Sequence, residues 1–393
     1  MLRISIVALI AAACLATAEE PPREWVDPAT HHRIIRLSDD PGSASLYFHQ
    51  NAYTAAGDLM VFTTPHGLSV VDLKSRRIRS LVEGRVSHVV VGRQTRQVFY
   101  FRDDTVYATN LDTGQTRAVA TQPGLRTGSG LAVNANETLL AGSFVEKQPV
   151  EAVNQPAFSA QSRGDNYPGK GQMMERRLAA HILMALYTID IKTGQVKTFN
   201  HSTDWLNHVQ FSPSDPSLIM FCHEGPWHKV DRIWTIHTDG TSLQKIHTRA
   251  MDMEIAGHEF FGPDGKVIWY DLQTPKGEQF WLAGMRLATG EPIRYKVERS
   301  AWSVHYNVSA DGTLFAGDGG GPNSVAAPGN GQWIYLFHPE PGVLKAEKLV
   351  DLARHDYKLE PNVTFTPDGQ WIVFRSNMFG PTHVFEVGVK RTQ

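Results

Sequence analysis

Short apolar segments separated by polar turns recur along the whole chain. A clear copy is HEFFGPDGKVIWYDL, in which two apolar strands flank a Pro-Asp-Gly turn. Seven segments share this pattern, and they begin at His49, His88, Gly130, His208, His258, His305 and Glu360. Such a repeat, with period-two alternation and turn residues at fixed places, is typical of antiparallel β-structure.

Each of the seven units is followed by a third apolar strand. These strands are predicted at 68–73, 106–111, 186–191, 233–238, 280–285, 333–338 and 383–388. Turns such as DTGQTRA then lead into a fourth, outer strand. Four short antiparallel strands in about 40 residues are the signature of a propeller blade. We therefore predict an all-β fold, a single seven-bladed β-propeller domain over residues 19–393. The segment HRIIRLS (32–38) is predicted to complete the last blade as its outer strand.

The third unit is interrupted before its third strand by roughly 35 extra residues, longer than an ordinary connection. This stretch contains the glycine-rich QSRGDNYPGKGQ and then MMERRLAAHILMAL, which has helical period. We predict one helix-containing insertion in the third blade. Because long loops often shape binding sites, Arg163 and Arg177 are candidates for substrate contacts, although surface solvation explains them equally well.

The first residues predict export. Arg3 precedes the apolar run from Ile4 to Leu15, and Ala16-Thr17-Ala18 offers a cleavage site. We predict a signal peptide at 1–18 and a periplasmic or secreted protein. Removal of the signal would leave Cys222 without a second cysteine for a disulfide.

The overall charge narrows the partners. A formal net charge of −2 argues against nucleic acid, so an anionic substrate would need a local basic site. No later segment is apolar enough for a transmembrane helix, and we expect no membrane partner after signal cleavage.

Aligning the units on the residue just before the first turn brings several histidines into register. Three positions before it stand Gln50, His88, Gly130, His208, His258, His305 and Asn362. The first strand of each blade lines the central channel of a propeller, so these positions are expected at one level around the axis. A single histidine is most often structural, but four in one column predict a shared site at the channel mouth. A register error of one residue would move them off the channel face.

The fourth unit adds further chemistry. Its second strand ends in CHEGPWH (222–228), and Arg232 follows closely. Imidazole, carboxylate and guanidinium together suit acid–base work on an anionic substrate. Cys222 lies inside the alternating strand pattern, which predicts a side chain in the blade core rather than a nucleophile.

Four segments carry a family resemblance. CHEGPWHKVDRIW, GHEFFGPDG, SVHYNVSADG and LEPNVTFTPDG occur in this order, and together they resemble the oligogalacturonate lyases. That resemblance covers most of the mature chain and implies a seven-bladed propeller. It also implies β-elimination on short pectin oligosaccharides: a base removes the C5 proton of a galacturonate, the C4–O bond breaks, and a 4,5-unsaturated sugar results.

The resemblance also implies site residues. His258 matches the general base, and Arg232 matches the group that neutralises the substrate carboxylate. His208, His223 and Glu224 are expected to help bind the acidic oligosaccharide.

A metal site is implied as well. His305 matches a ligand of a manganese site. The chain departs from the family pattern in the seventh unit, where it has Glu360-Pro361-Asn362 in place of His-Pro-His and Tyr357 near the position of an expected glutamine. Glu360 and Asn362 can still supply oxygen ligands to Mn²⁺ or Ca²⁺, and loss of the metal is the alternative.

Two other functions fit parts of the sequence. A non-catalytic TolB-like periplasmic scaffold or sugar-binding module would have the same turns, but it has no need for a histidine column. A propeller hydrolase or peptidase lacks support, because no Gly-x-Ser-x-Gly motif is present.

Overall fold

The structure, a computed structural model, describes residues 20–128, 130–147, 171–322, 324 and 331–392. The predicted signal peptide at 1–18 lies outside these residues. None of the helices in the described ranges is long and apolar enough to span a bilayer.

The described chain is almost entirely β-structure, as the strand pattern predicts. Its strands are β1 (Glu24–Val26), β2 (His32–Arg36), β3 (Leu59–Thr64), β4 (Gly67–Asp72), β5 (Ile78–Glu83), β6 (Ser87–Val91), β7 (Gln97–Arg102), β8 (Thr105–Asn110), β9 (Thr116–Thr121), β10 (Ala132–Val133), β11 (Leu139–Lys147), β12 (Leu183–Asp190), β13 (Val196–Ser202), β14 (Trp205–Phe211), β15 (Leu218–Glu224), β16 (Ile233–His237), β17 (Gln244–Lys245), β18 (Ile255–Phe261), β19 (Val267–Gln273), β20 (Phe280–Arg286), β21 (Pro292–Val297), β22 (Tyr306–Val308), β23 (Phe315–Gly317), β24 (Trp333–Glu340), β25 (Val343–Asp351), β26 (Thr364–Phe365), β27 (Trp371–Ser376) and β28 (His383–Arg391). The helices are α1 (Gly171–Ala180) and two 3₁₀ turns, Leu125–Thr127 and Arg299–Ala301.

Strands that follow each other in sequence pair antiparallel, giving seven meanders over the described residues. They are β3–β5, β6–β9, β10–β13, β14–β17, β18–β21, β22–β25 and β26–β28. A single parallel contact between β21 and β25 joins two of them into one eight-stranded sheet.

The two ends of the described chain meet in one sheet. Strand β2 pairs antiparallel with β28, and β1 pairs with β2 outside it. The predicted role of HRIIRLS (32–38) as an outer strand of the last unit is therefore confirmed. This pairing ties the start of the fold to its end and covers an edge that would otherwise be open.

Burial explains the long apolar runs. Every residue of the second strand β19 is buried, whereas the outer strand β9 is exposed or half-buried throughout. A strand buried on both faces reads as continuous apolar sequence, and this requires packing on each side of the sheet. Most core side chains accordingly come from the inner strands of each meander, and the outer strands contribute fewer.

The first strands also surround a cavity of about 290 Å³. Six meanders contribute to its lining through their first strands, and Tyr53, which bridges to Met60 of β3, contributes beside the first meander. The lining includes Tyr53, Val90, Val133, Phe211, Phe261, Val308 and Phe365. Six of these seven are the residues on which the units were aligned.

Helix α1 lies between β11 and β12 in chain order, but it is shorter than predicted. It ends at Ala180, His181 adopts a left-handed backbone with φ of 47°, and Leu183 begins β12. The prediction that MMERRLAAHILMAL is helical throughout is therefore wrong in its last residues. The backbone of these last residues pairs with β11, and their apolar side chains are buried. Pairing and burial together outweigh the helical spacing.

Candidate active site

The aligned histidine column coincides with a repeated backbone distortion. Five of its positions have left-handed backbone conformations: His88, Gly130, His208, His258 and Asn362, with φ of 52°, 70°, 49°, 45° and 56°. In β6, β14 and β18 the pairing with the next strand also shifts at this point. A bulge of this kind re-aims a side chain out of the strand alternation, and strained backbone of this kind clusters at functional sites.

The first chemical group of the site is an Asp–His pair. His258 Nδ1–H donates to Asp271 Oδ1 at 2.9 Å, and both side chains are buried. This bond fixes the tautomer and leaves the Nε2 lone pair available. Burial lowers the pKa of His258, an effect that Asp271 partly opposes. The imidazole is therefore held neutral and oriented, as a base requires.

A second Asp–His pair lies beside the first, with the two imidazole centroids 4.6 Å apart. His305 Nδ1–H donates to Asp318 Oδ2 at 2.7 Å, and the other oxygen of Asp318 accepts the His305 backbone N–H at 2.8 Å. His305 Nε2 then faces the Tyr47 hydroxyl at 3.2 Å and Glu360 Oε2 at 3.7 Å.

Asn362, the third predicted metal ligand, is buried in the same place but is already engaged. Its side-chain oxygen accepts the Phe48 N–H at 3.2 Å, and its side-chain nitrogen donates to the Glu360 carbonyl at 3.0 Å. Its backbone N–H donates to Asp318 Oδ2 at 3.2 Å. The structure thus brings His305, Glu360 and Asn362 together, with the amide serving as a structural link.

The third chemical group of the site is an arginine cluster, which consists of Arg232, Glu224, Glu259 and His208. Arg232 is 1% exposed; its Nη1 donates to Glu224 Oε1 at 2.7 Å and its Nε donates to Glu259 Oε2 at 2.9 Å. His208 Nδ1 lies 3.1 Å from Glu259 Oε1 and 3.2 Å from Arg232 Nη2. Trp227 donates its indole N–H to Glu224 at 2.9 Å.

The charges of the arginine cluster are compensated internally. Burial favours the neutral acid at Glu259, but Arg232 and His208 outweigh it and hold the pKa of Glu259 well below its usual range. Burial likewise disfavours the charged guanidinium, but Glu224 and Glu259 raise the pKa of Arg232 well above its usual range. Two carboxylates face one guanidinium, so Arg232 does not offer an unpaired charge to a ligand.

Aromatic side chains join the two Asp–His pairs and the arginine cluster into one site. Tyr47 contacts both His208 and His305, at centroid distances of 5.5 and 5.3 Å. Trp227 packs edge-on against His258 at 5.5 Å and also faces Arg232 at 5.6 Å. His208, His258 and His305, from three successive meanders, therefore share one site.

The remaining predicted residues are placed less centrally. His223 stacks on Trp234 at 4.8 Å and contacts Asp204 at 3.5 Å, on the opposite face of β15 from its neighbour Glu224. Arg177 on α1 stacks over Trp205 at 4.3 Å. Arg163 lies outside the described residues.

Several site residues were missed by sequence reasoning. Asp271 and Asp318 each follow their histidine by thirteen residues, in successive units, and this repeated spacing is a signal that could have identified them. Glu259 stands directly after His258 in the quoted HEFF motif. Tyr47 has no such signal, because it precedes the first unit; His49 opens that unit one position before the aligned column. Burial lowers the pKa of His49 well below its usual range.

Two places have metal-binding atoms. His208, Cys222 and Glu259 offer ligand atoms within 4.8 Å of one another. However, the Arg232 guanidinium already lies against Glu259 and His208, and a second cation there would be repelled. Burial also raises the pKa of the Cys222 thiol well above its usual range. The pair formed by His305 and Glu360 is the better fit, and the Asp318 bond to His305 is typical of a metal-ligating imidazole.

These features define a class, an all-β protein of repeated meanders with a buried histidine-based acid–base site. A family model described as oligogalacturonate lyase matches residues 174–392, which include His208, Arg232, His258, His305 and Glu360. The chain therefore belongs to the oligogalacturonate lyase family, as its motifs predict.

Full-length relatives agree with this assignment. The chain is 25% identical over 383 residues to the oligogalacturonide lyase of Pectobacterium atrosepticum, covering 91% of this chain and 93% of that protein. The same figures hold for the oligogalacturonate lyase of Dickeya dadantii.

Solved structures share the fold. An oligogalacturonate lyase in complex with manganese superposes with a TM-score of 0.78 at 23% identity, over 93% of this chain and 96% of that one. The oligogalacturonate lyase of Vibrio parahaemolyticus gives a TM-score of 0.80 at the same identity and coverage.

Proposed function

We propose that this protein cleaves short oligogalacturonates by β-elimination and releases 4,5-unsaturated uronates. The single observation that carries the proposal is the buried His258–Asp271 pair beside the arginine cluster and the second Asp–His pair. A scaffold or a sugar-binding module gains nothing from two oriented imidazoles with centroids 4.6 Å apart, whereas a proton-abstracting enzyme needs at least one.

His258 is the base in this mechanism. Its Nε2 takes the C5 proton of a galacturonate, the C4–O bond breaks, and the departing oxygen takes up a proton. Asp271 accepts the Nδ1–H bond and stabilises the imidazolium as it forms. Burial lowers the pKa of His258, so the base is unprotonated at neutral pH.

Arg232 acts in this proposal as a positioning residue. The sequence assigned it to the substrate carboxylate, but its guanidinium is bonded to Glu224 and Glu259. From there it holds His208 and Trp227 around the space next to His258. His208, half-buried and in contact with Tyr47, is the cluster member that reaches the substrate.

His305 and Glu360, whose Nε2 and Oε2 atoms are 3.7 Å apart, would hold a divalent ion. Such an ion would supply charge neutralisation of the substrate carboxylate and so make the adjacent C5 proton more acidic. We propose Mn²⁺, with Ca²⁺ as the alternative, because the two donors are an imidazole nitrogen and a carboxylate oxygen.

The seven meanders are proposed to be the blades of one propeller, with α1 in an insertion of the third. Residues from the first strands of six meanders and Tyr53, which bridges to β3 of the remaining one, line a single cavity, and radial closure would account for this. The pairing of β2 with β28 supplies the closing contact. We further propose that the chain is exported, to the periplasm or beyond, through the signal at 1–18.

The test is an absorbance assay. The purified protein is incubated with digalacturonate, with and without Mn²⁺, and the unsaturated product is followed in the ultraviolet. His258→Ala should abolish product formation, and His338→Ala, a change at an exposed histidine on β24, should leave it intact. Absence of product from every uronate oligomer under both conditions would refute the proposed function.

A further inference from the structure

The turn between β6 and β7 contains an arginine that breaks the repeat. Two positions beyond the residue used to align the units, the chain has Ala55, Arg93, Ala135, Pro213, Pro263, Ala310 and Pro367. Six units thus have a small or cyclic residue here and the second unit has a cation. The position lies five residues after the histidine column, in the turn that follows the first strand of the unit.

Arg93 lines two adjoining cavities. One is the cavity of about 290 Å³ among the first strands, and the other, of about 270 Å³, is bounded by turn residues including Ala55, Ala310 and Pro367. As far as the described residues go, no aspartate or glutamate lines either one. The lining combines aromatic, aliphatic and proline side chains with polar ones such as His49, Asn51 and Gln210. The hydroxyls of Tyr53 and Thr364 are bonded to each other at 2.9 Å.

The guanidinium of Arg93 is short of partners. Among the residues that the structure describes, its buried Nε has no hydrogen-bond partner, and burial lowers the pKa of the side chain. Arg96, three residues on, differs because it is bonded to Asp58 and Asp112. A half-buried guanidinium with an unbonded N–H is unfavourable, and a bound anion would relieve this.

We propose that Arg93 anchors a second ligand site, at the turn end of the cavity and away from the His258–Asp271 pair, for a small molecule with one carboxylate. A planar carboxylate pairs with a guanidinium through two parallel hydrogen bonds. The aromatic and proline lining suits the body of such a molecule, and the cavity volume limits it to about the size of a single sugar acid. This site does not depend on the proposed lyase activity.

Equilibrium dialysis with labelled D-galacturonate tests the site in the full chain. Arg93→Gln should weaken binding to this site by at least about thirtyfold, because a desolvated charge pair is lost. Arg93→Lys should retain part of it, and Arg77→Gln, at an exposed outer turn, should leave it unchanged. Arg93→Gln removes a half-buried cation whose Nε is unbonded, so its melting temperature should equal or exceed that of the wild type.

The competitors identify the ligand chemistry. Acetate should displace galacturonate from the Arg93-dependent site, and neutral galactose should not. Binding that is equally tight in Arg93→Gln and the wild type overturns the proposal. Displacement by galactose as effective as by acetate, or by inorganic phosphate more effective than by acetate, overturns the assignment to a carboxylate.

Discussion

Replacing Asp271 with asparagine perturbs the proposed base without touching the substrate. Asp271 is 3% exposed, and its Oδ1 accepts the His258 Nδ1–H at 2.9 Å. A hydrogen bond to a charged group contributes about 1.5–3 kcal/mol, which corresponds to roughly 10- to 150-fold in rate if it is lost only in the transition state. An asparagine can also turn its NH₂ toward Nδ1 and force the proton onto Nε2, the atom that must be free.

The same exchange in the Asp–His pair of serine proteases lowers kcat by about 10⁴-fold. We therefore expect Asp271→Asn to lower kcat on digalacturonate by a factor on the order of 10² to 10⁴, with KM changed much less. Asp271 raises the pKa of His258 against the lowering effect of burial. The acid limb of the kcat/KM profile should consequently move to lower pH.

The assay is initial-rate absorbance across pH, with a thermal melt as the folding control. A merely structural role for Asp271 would lower the amount of active enzyme and leave the pH profile in place. A variant with kcat within about threefold of the wild type would refute the assignment of His258 and Asp271 as the base pair, since the wrong tautomer alone costs more.

Three further predictions concern other parts of the molecule. Asp318→Asn should weaken Mn²⁺ binding about 10- to 100-fold by calorimetry, while Asp271→Asn leaves it unchanged; equal effects would contradict the metal assignment. Cys222→Ala should retain lyase activity within a few fold, because the thiol is buried and its pKa is raised. Loss of activity in a folded variant would contradict this and indicate that Cys222 acts as a nucleophile. Burial raises the pKa of Glu386 to about 7, so the folded chain keeps a proton that the unfolded chain loses near pH 4.5, and stability falls as pH rises between these values. Glu386→Gln should remove this pH dependence, which amounts to about 3 kcal/mol in the free energy of unfolding. In urea unfolding the wild type should be less stable than the variant at pH 8 but not at pH 4; a stability difference that does not vary with pH would contradict this.

Much of the fold could be predicted because the repeat is local. Each strand is a short apolar run bounded by its own turn, so strands such as 233–238 and 280–285 were located to within a residue or two. The end of α1 could not be predicted, because the positions of Leu183 and Met184 fit both a helical spacing and a strand pattern. Pairing with β11 decides between these alternatives, and that partner is distant in sequence.

The site was predicted in part for the same reason. The histidine column follows from the repeat, and His208, His258 and His305 do meet. The bulged backbone at His208 and His258 was not predicted, because a histidine in a sequence does not by itself indicate a positive φ. The pairing of Arg232 with two carboxylates was also missed, since Glu259 comes from the next meander and charge compensation depends on distances, not on spacing.

The central claim is that His258 removes the C5 proton of a galacturonate. The most direct measurement is the kinetic isotope effect on kcat/KM with digalacturonate deuterated at C5, together with the rate of His258→Ala. The account predicts a several-fold slower reaction of the deuterated substrate in the wild type and no measurable product from the folded variant. His258→Ala enzyme that retains more than about a tenth of the wild-type rate would contradict it, because general-base catalysis contributes about 10²-fold or more.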